Sequence, residues 1–311
     1  MKIAIAGSGA LGSRFGFALH QADNEVVLID NWVDHINAIR EHGLKMTIDN
    51  QTHNAAIPII TPQEIPSNVT VELLIVFTKA MQLDQMLQDV KPIMNDNTKV
   101  LCLLNGIGHE DIIAKHVSRK NIFIGNTMWT ANLVAPGHSE SFGAGSVNLQ
   151  NLAPGEENMA IAIADVLTEA GLNAHFTENV HNTIYLKACV NGTMNGLCTL
   201  LDVNMADFGA TKDAHDMVAS IVKEFAAVAA FENVQLDVEE AIEFVEKCYD
   251  RTTIGEHFPS MHQDLIKNHR LTEIDYINGA ISRKGRKYGV STPYCDFLTQ
   301  LIHAKEDIIL K

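Results

Sequence analysis

Apolar residues along this chain fall into two regimes. In the first half they come as short continuous runs: "KIAIA" at 2–6, "EVVLID" at 25–30, "VELLIVFTKA" at 71–80, "KVLCLLNG" at 99–106 and "NIFIGNT" at 121–127. Runs of this length without polar alternation predict strands covered on both faces, as in a parallel sheet. Between the first two, residues 10–21 repeat apolar and small side chains at helical spacing. Strand, glycine turn, helix and strand inside 30 residues open a βαβ unit. Residues 139–149, "SESFGAGSVNL", read as a hairpin-type segment punctuated by glycine. From about residue 180 the strand signals stop. Helical periodicity then covers 181–201, 211–231, 238–249, 272–287 and 292–309. The pattern predicts an α/β protein: a Rossmann-type, doubly wound domain over 1–179 and an all-α domain over 180–311.

Length and charge narrow the function. A chain of 311 residues suits two cores rather than one. Its formal net charge of −15 repels nucleic-acid phosphates and anionic membrane surfaces alike. The apolar start runs straight into glycine, so neither a leader nor a membrane span is expected there, and no later run reaches ~18 apolar residues. The five cysteines are odd in number and form no C-x-x-C pair, which predicts buried reduced thiols in a cytoplasmic protein.

The first chemical motif is Gly7-Ser8-Gly9-Ala10-Leu11-Gly12, a G-x-G-x-x-G between a strand and a helix. Its glycines serve a tight turn, close backbone approach to a pyrophosphate, and close helix–strand packing. The helix behind it offers amides and a favourable dipole to phosphates. Asp30 ends the second strand. A carboxylate there accepts hydrogen bonds from both adenosine ribose hydroxyls and repels a 2′-phosphate. No Arg or Lys stands beside it, so NAD(H) is expected over NADP(H).

The second motif is "KACVNGTMN", residues 187–195. In a regular helix Lys187, Asn191 and Asn195 drift only about 40° per step and share one stripe. Gly192 and Gly196 cost the helix about 1 kcal/mol each against alanine, a cost offset where a neighbour or a ligand must come close. A solvent-facing stripe with a snorkelling lysine explains the same pattern. Residues 258–281 add Ser260, Gln263, Asp264, Arg270, Glu273, Asp275 and Asn278 in a short span. An inter-helix loop with capping residues, Thr272 among them, accounts for such a span equally well.

Five segments together resemble the ketopantoate reductase family over nearly the whole length: "GSGALG", "FTKAMQ" at 77–82, "LLNGIGHED" at 103–111, "KACVNGTMNGL" at 187–197 and "SMHQDLIKNHRLTEIDYINGAI" at 260–281. The resemblance implies a reductase of 2-oxo acids giving a D (R) hydroxy acid. It implies Lys187 as general acid, with Glu273 contacting the nicotinamide ribose and helping to place the lysine. Asn191 and Asn195 would hold substrate, and Ser260 its carboxylate. Asn105 matches the family's asparagine at the nicotinamide end, Lys79 its cofactor-side lysine, and Ala131 a looser backbone contact with the cofactor. A homodimer through the helical domain is implied as well.

Two departures separate this chain from ketopantoate reductases proper. Those usually carry a basic residue near Asp30's position and use NADPH. They also often carry an asparagine–glycine–glutamate stretch where this chain has Val203-Asn204-Met205-Ala206-Asp207, leaving Met205 or a shifted Asn204 at the substrate-contacting spot. Both departures point to the family's NAD-dependent D-2-hydroxyacid dehydrogenases of the D-mandelate type, acting on branched or aromatic 2-oxo acids. NADPH-dependent reduction of 2-dehydropantoate is the alternative. His109, His116, His138, His257 and His262 lack metal-ligand spacing, and hydride transfer needs no metal.

Overall fold

The computed structural model describes residues 1–311. It forms two compact units: Met1–Leu104 with His109–Val180, and Asn105–Gly108 with His181–Lys311.

The first unit is built on an eight-stranded sheet. Its strands are β1 (Lys2–Ala6), β2 (Glu25–Ile29), β5 (Ile59–Ile60), β6 (Leu73–Val76), β7 (Lys99–Cys102), β8 (Ile122–Thr127), β11 (Val147–Asn151) and β12 (Ala174–Phe176), in spatial order β12-β11-β8-β7-β6-β1-β2-β5. The six strands from β8 to β5 run parallel. β11 pairs antiparallel with β8 and parallel with β12. Leu73–Val76 is buried at every position, which is why these strands read as unbroken apolar runs. The order reverses between β1 and β6, the switch point at which open α/β sheets bind ligands beyond their carboxyl ends.

A second sheet of four strands was not visible in the apolar pattern. It comprises β3 (Leu44–Ile48), β4 (Gln51–Ala55), β9 (Thr130–Ala135) and β10 (His138–Phe142), ordered β4-β3-β10-β9. Edge strand β4 is "QTHNA", exposed over its first four residues, so it carries no apolar alternation to detect. The expected hairpin at 139–149 is corrected here. β10 pairs with β9 and β3, whereas β11 pairs with β8, so Gly143 and Gly145 separate strands of two different sheets. Helix α1 (Ala10–Gln21) contacts strands of both sheets, and Gly12–Leu19 is accordingly buried throughout. The unit's other helices are α2 (Val33–His42), α3 (Leu83–Asp89), α4 (His109–Ile113) and α5 (Glu157–Glu169).

The second unit is helical: α6 (Val180–Val190), α7 (Gly196–Leu201), α8 (Met205–Gly209), α9 (Ala214–Ala230), α10 (Val238–Glu246), α11 (Ser260–His262), α12 (Asn278–Tyr288) and α13 (Pro293–Ile309). Tyr185, Phe208, Phe225 and Ile281 centre its core. The expected single helix over 181–201 is interrupted by a π turn at Asn191–Asn195, and a second π turn spans Gln263–Lys267. The helix expected from Thr272 starts later. Thr272 Oγ1 accepts from the Ile274 amide at 3.3 Å and opens a short 3₁₀ turn, and α12 begins only at Asn278. No helix is long and apolar enough to cross a membrane. All five cysteines are buried and unpaired.

Candidate active site

In the first unit the glycine loop connects β1 to α1. Gly7 has φ +94°, and a Cβ on it would sit 2.5 Å from the Thr78 amide nitrogen, so only glycine lets the Phe77–Thr78 backbone pack here. A Cβ on Gly12 would fall 1.9 Å from the Gly7 carbonyl oxygen, which fixes glycine where helix meets strand. Gly9 differs: nothing lies within 4 Å of its would-be Cβ, leaving its backbone open to a ligand. Ser8 is fully buried, and its carbonyl accepts from Ser13 Oγ at 2.6 Å. Ala10 and Leu11 stay partly exposed in the first turn of α1. A loop closed in by the Phe77–Thr78 backbone at Gly7 and by its own backbone at Gly12, and open at Gly9, fits a dinucleotide pyrophosphate. Lys79 directly follows the Thr78 that touches Gly7, so the fold brings it beside the loop. Ala131 lies on β9, a strand that packs against α1.

Asp30 is held more firmly than its strand-end position foretold. Its Oδ2 accepts from the Ser8 amide at 2.6 Å and Ser8 Oγ at 2.9 Å. Its Oδ1 accepts from the amides of Asn31 at 2.8 Å and Trp32 at 2.9 Å. A carboxylate has about four lone-pair sites, and the protein supplies four donors. Ribose hydroxyls would therefore share or replace these bonds, rather than meet an idle acceptor. A 2′-phosphate would bring no donor and would face a fixed negative charge.

In the second unit Lys187 lies in the last turn of α6 and keeps partial solvent access. Burial pushes its ammonium down to about 8, while the nearby Glu273 carboxylate pulls the other way. Desolvation outweighs attraction, which leaves the lysine poised between its two protonation states near neutral pH. Asn191 is partly exposed and Asn195 is buried. A regular helix would put Asn195 about 80° round from Lys187. The π turn between them advances less per residue and reduces that offset. The two glycines serve neighbours, not a ligand: a Cβ on Gly192 would lie 2.4 Å from the Phe225 ring, and one on Gly196 2.8 Å from Leu298.

Other predicted residues join this unit from a distance in sequence. Asn105 precedes Gly106, whose φ is +98° and whose Cβ would collide with the Tyr276 carbonyl at 2.4 Å. The Ile107 amide donates to that same carbonyl at 3.1 Å, so the Asn105 loop is tied three residues beyond Glu273. The Thr272 amide donates to Glu306 Oε1 of α13 at 2.7 Å, anchoring the backbone next to Glu273. Ser260 is exposed at the start of α11, which packs on α7 and the first π turn. Asn204 is taken elsewhere: its side chain caps α8, accepting from the Asp207 amide at 2.8 Å and donating to Asp207 Oδ2 at 2.9 Å. Met205 is buried in the helical core.

The histidines disperse. His116, in the turn after α4, pairs with Asp84, His138 of β10 with Thr47 and His262 of α11 with Asp202. The π turns and the buried amide of Asn278 went unassigned in the sequence. The paired glycines at 192 and 196 are the one signal there that this helix is unusually crowded.

A glycine loop open to a dinucleotide and a lysine poised near neutrality define an NAD(P)-dependent oxidoreductase acting on the CH–OH group of its donors. Comparison with known proteins agrees. Ketopantoate reductase PanE/ApbA matches residues 3–154, and its C-terminal domain matches 179–306. A 2-dehydropantoate 2-reductase of Lactococcus lactis subsp. lactis is 62% identical over 309 residues, covering 99% of each chain. A ternary structure of D-mandelate dehydrogenase with NADH and anilino(oxo)acetate superposes with TM-score 0.97 at 63% identity, covering 99% of each chain. A complex of D-mandelate dehydrogenase with NADH gives TM-score 0.94 at 63% identity, covering 99% of this chain and 100% of that one. This chain belongs to the ketopantoate reductase family.

Proposed function

We propose that the protein is an NAD-dependent D-2-hydroxyacid dehydrogenase that reduces branched or aromatic 2-oxo acids, of the D-mandelate type. The observation that carries this reading is Lys187, whose ammonium is pushed down to about 8 beside Glu273 on the stripe that holds Asn191. Bound NADH supplies the hydride. As carbon is reduced, negative charge grows on the carbonyl oxygen, and the Lys187 ammonium stabilises it and delivers the proton. Glu273 keeps the lysine charged enough to do so and orients it. Asn191 and Asn195 hold the substrate, Ser260 binds its carboxylate, and Asn105 borders the reacting end. The open Gly9 backbone receives the pyrophosphate, with Ser8, Ala10 and Leu11 completing the turn and Lys79 and Ala131 alongside. Asp30 selects NAD(H) by engaging the ribose diol and repelling a 2′-phosphate.

Substrate preference rests on two supports. Asn204 spends its amide on a helix cap, so the stretch 203–207 offers the substrate no free asparagine there. The neighbour at 63% identity is a D-mandelate dehydrogenase held with NADH and an aromatic oxo acid derivative. The relative at 62% identity favours a second reading, NADPH-dependent reduction of 2-dehydropantoate. Comparing kcat/KM for ketopantoate, 2-ketoisocaproate and phenylglyoxylate, each with NADH and with NADPH, decides between them. NADH with an apolar 2-oxo acid is the expected winner, and NADPH with ketopantoate overturns the reading.

The expected homodimer has its support on α13. Tyr294, Phe297, Leu301 and Ile308 are exposed at spacings of three, four and seven, an apolar stripe able to pack on a second helix. Phe297→Glu is expected to yield monomers by light scattering, and an unchanged mass rejects that face. Five buried, unpaired thiols fit a reducing compartment such as the cytoplasm.

A further inference from the structure

Around the α-to-π transition on the lysine helix, side chains donate to backbone carbonyls. Thr193 Oγ1 donates to the carbonyls of Cys189 at 2.7 Å and Val190 at 3.1 Å. The Gly192 carbonyl receives Nδ2 of Asn278, at 2.8 Å, from the first residue of α12, 86 positions away in sequence. Asn278 is completely buried, and its Oδ1 has no hydrogen-bond partner. Burying an amide with half its capacity idle is unfavourable beside an apolar residue of the same shape. What the amide supplies is two donors: a long contact to Cys295 Sγ at 3.8 Å, and a short one aimed at the Gly192 carbonyl, which sits between Asn191 and Asn195.

We propose that Asn278 is a positioning residue for substrate: its amide fixes the π turn that sets the direction of Asn191 and Asn195. The inference rests on the reading that these two asparagines hold the 2-oxo acid. Gly192 is what permits the arrangement, because Phe225 of α9 presses on the same turn from another side. The turn is thus clamped between α9 and α12, and the clamp's polar half is a single hydrogen bond.

Two variants test it. Asn278→Leu keeps the branching at Cγ and the number of heavy atoms, and removes the donor. The expected result is a KM for the 2-oxo acid raised at least tenfold, with a smaller change in kcat and an unchanged Kd for NADH. Asn278→Asp is isosteric and donates only while protonated. The groups in contact with that carboxyl are the Gly192 carbonyl, the Cys295 thiol and, beyond it, Glu224, which accepts from the Cys295 amide at 2.8 Å. On the same and neighbouring elements, Arg283 beside Gly279 spends its guanidinium on Asp275, and Lys187 faces Glu273. None of the contacting groups is cationic, so burial holds the carboxyl protonated to unusually high pH. Asn278→Asp is therefore expected to show the wild-type KM at pH 6. A wild-type KM in Asn278→Leu, or a raised KM in Asn278→Asp at pH 6, overturns the proposal. Should the leucine variant fail to fold, the aspartate variant decides alone: a KM rising between pH 6 and pH 9 relative to wild type supports it, and a flat ratio overturns it. Lys187→Ala measured alongside separates the two levels. Turnover surviving that change sinks the functional reading itself, whereas an inactive Lys187→Ala beside a normal Asn278→Leu removes only the role of Asn278.

Discussion

In the glycine loop, small residues make room for backbone, both the loop's own and that of Phe77–Thr78. Gly7 and Gly12 let a strand, its following helix and the Thr78 backbone come together, and Gly9 leaves a surface open. In the lysine helix, glycines make room for strangers: Phe225 and Leu298 arrive from α9 and α13. The first arrangement admits a distant strand end at Gly7, yet its spacing is written in six consecutive residues. The second depends on helices that fold back from 30 to 100 positions later. A local device survives as a motif, whereas a packed device appears in sequence only as an unexplained cost.

The contrast yields predictions that bear on each region. The largest concerns Lys187. Lys187→Ala is expected to lower kcat/KM by roughly 10²–10⁴-fold, the usual worth of a positioned general acid. NADH affinity, measured by fluorescence titration, should stay unchanged, since the glycine loop is untouched. Asp30→Ala is the converse. Charge-assisted hydrogen bonds are worth about 1.5–3 kcal/mol, so Kd for NADH should rise roughly ten- to a hundredfold. Kd for NADPH should rise less or fall, because a repelling charge has gone. Equal losses for both cofactors would mean that Asp30 only holds the loop together.

The pH profile is next in size. On the proposed mechanism reduction needs the ammonium form of Lys187, pushed down to about 8 by burial. Below that value kcat/KM for reduction should be level, and above it should fall about tenfold per pH unit. By the same reading, oxidation of the hydroxy acid needs the neutral amine and should rise about tenfold per pH unit below about 8 and level off above it. A reduction profile flat to pH 10 would remove the lysine from proton transfer. The smallest expected effect is that of Asn204→Ala, which deletes the α8 cap and should cost about 1 kcal/mol by denaturant unfolding. Its kinetics should match wild type, and a raised KM at unchanged stability would return Asn204 to the substrate site.

The two regions also differ in how far they could be read beforehand. Strands β1, β2, β6, β7 and β8 were legible because a buried parallel sheet demands continuous apolar runs. The second sheet was not, since β4 is a polar edge and the partners of β3 and β10 lie about 90 residues apart. The candidate residues were found singly, from the motif and from the family they resemble. Their relations were not. Asp30 turned out to be saturated by Ser8, Asn31 and Trp32. The stripe from Lys187 to Asn195 proved to contain a π turn, because helical periodicity assumes a constant rotation that packing need not respect.

By itself, the sequence determined the class of each half, the glycine loop and the acid that follows it, while the role proposed for Lys187 comes from the family the chain resembles. The class, the loop and the acid depend on contacts between residues near in the chain, or on apolar content that any burial would require. The tertiary structure decided what those residues are able to do. It lowered the Lys187 ammonium by surrounding it with protein, placed Glu273 near enough to oppose that shift, and brought Asn278 to the Gly192 carbonyl. Desolvation and long-range hydrogen bonds exist only once distant segments meet, so no local pattern encodes them.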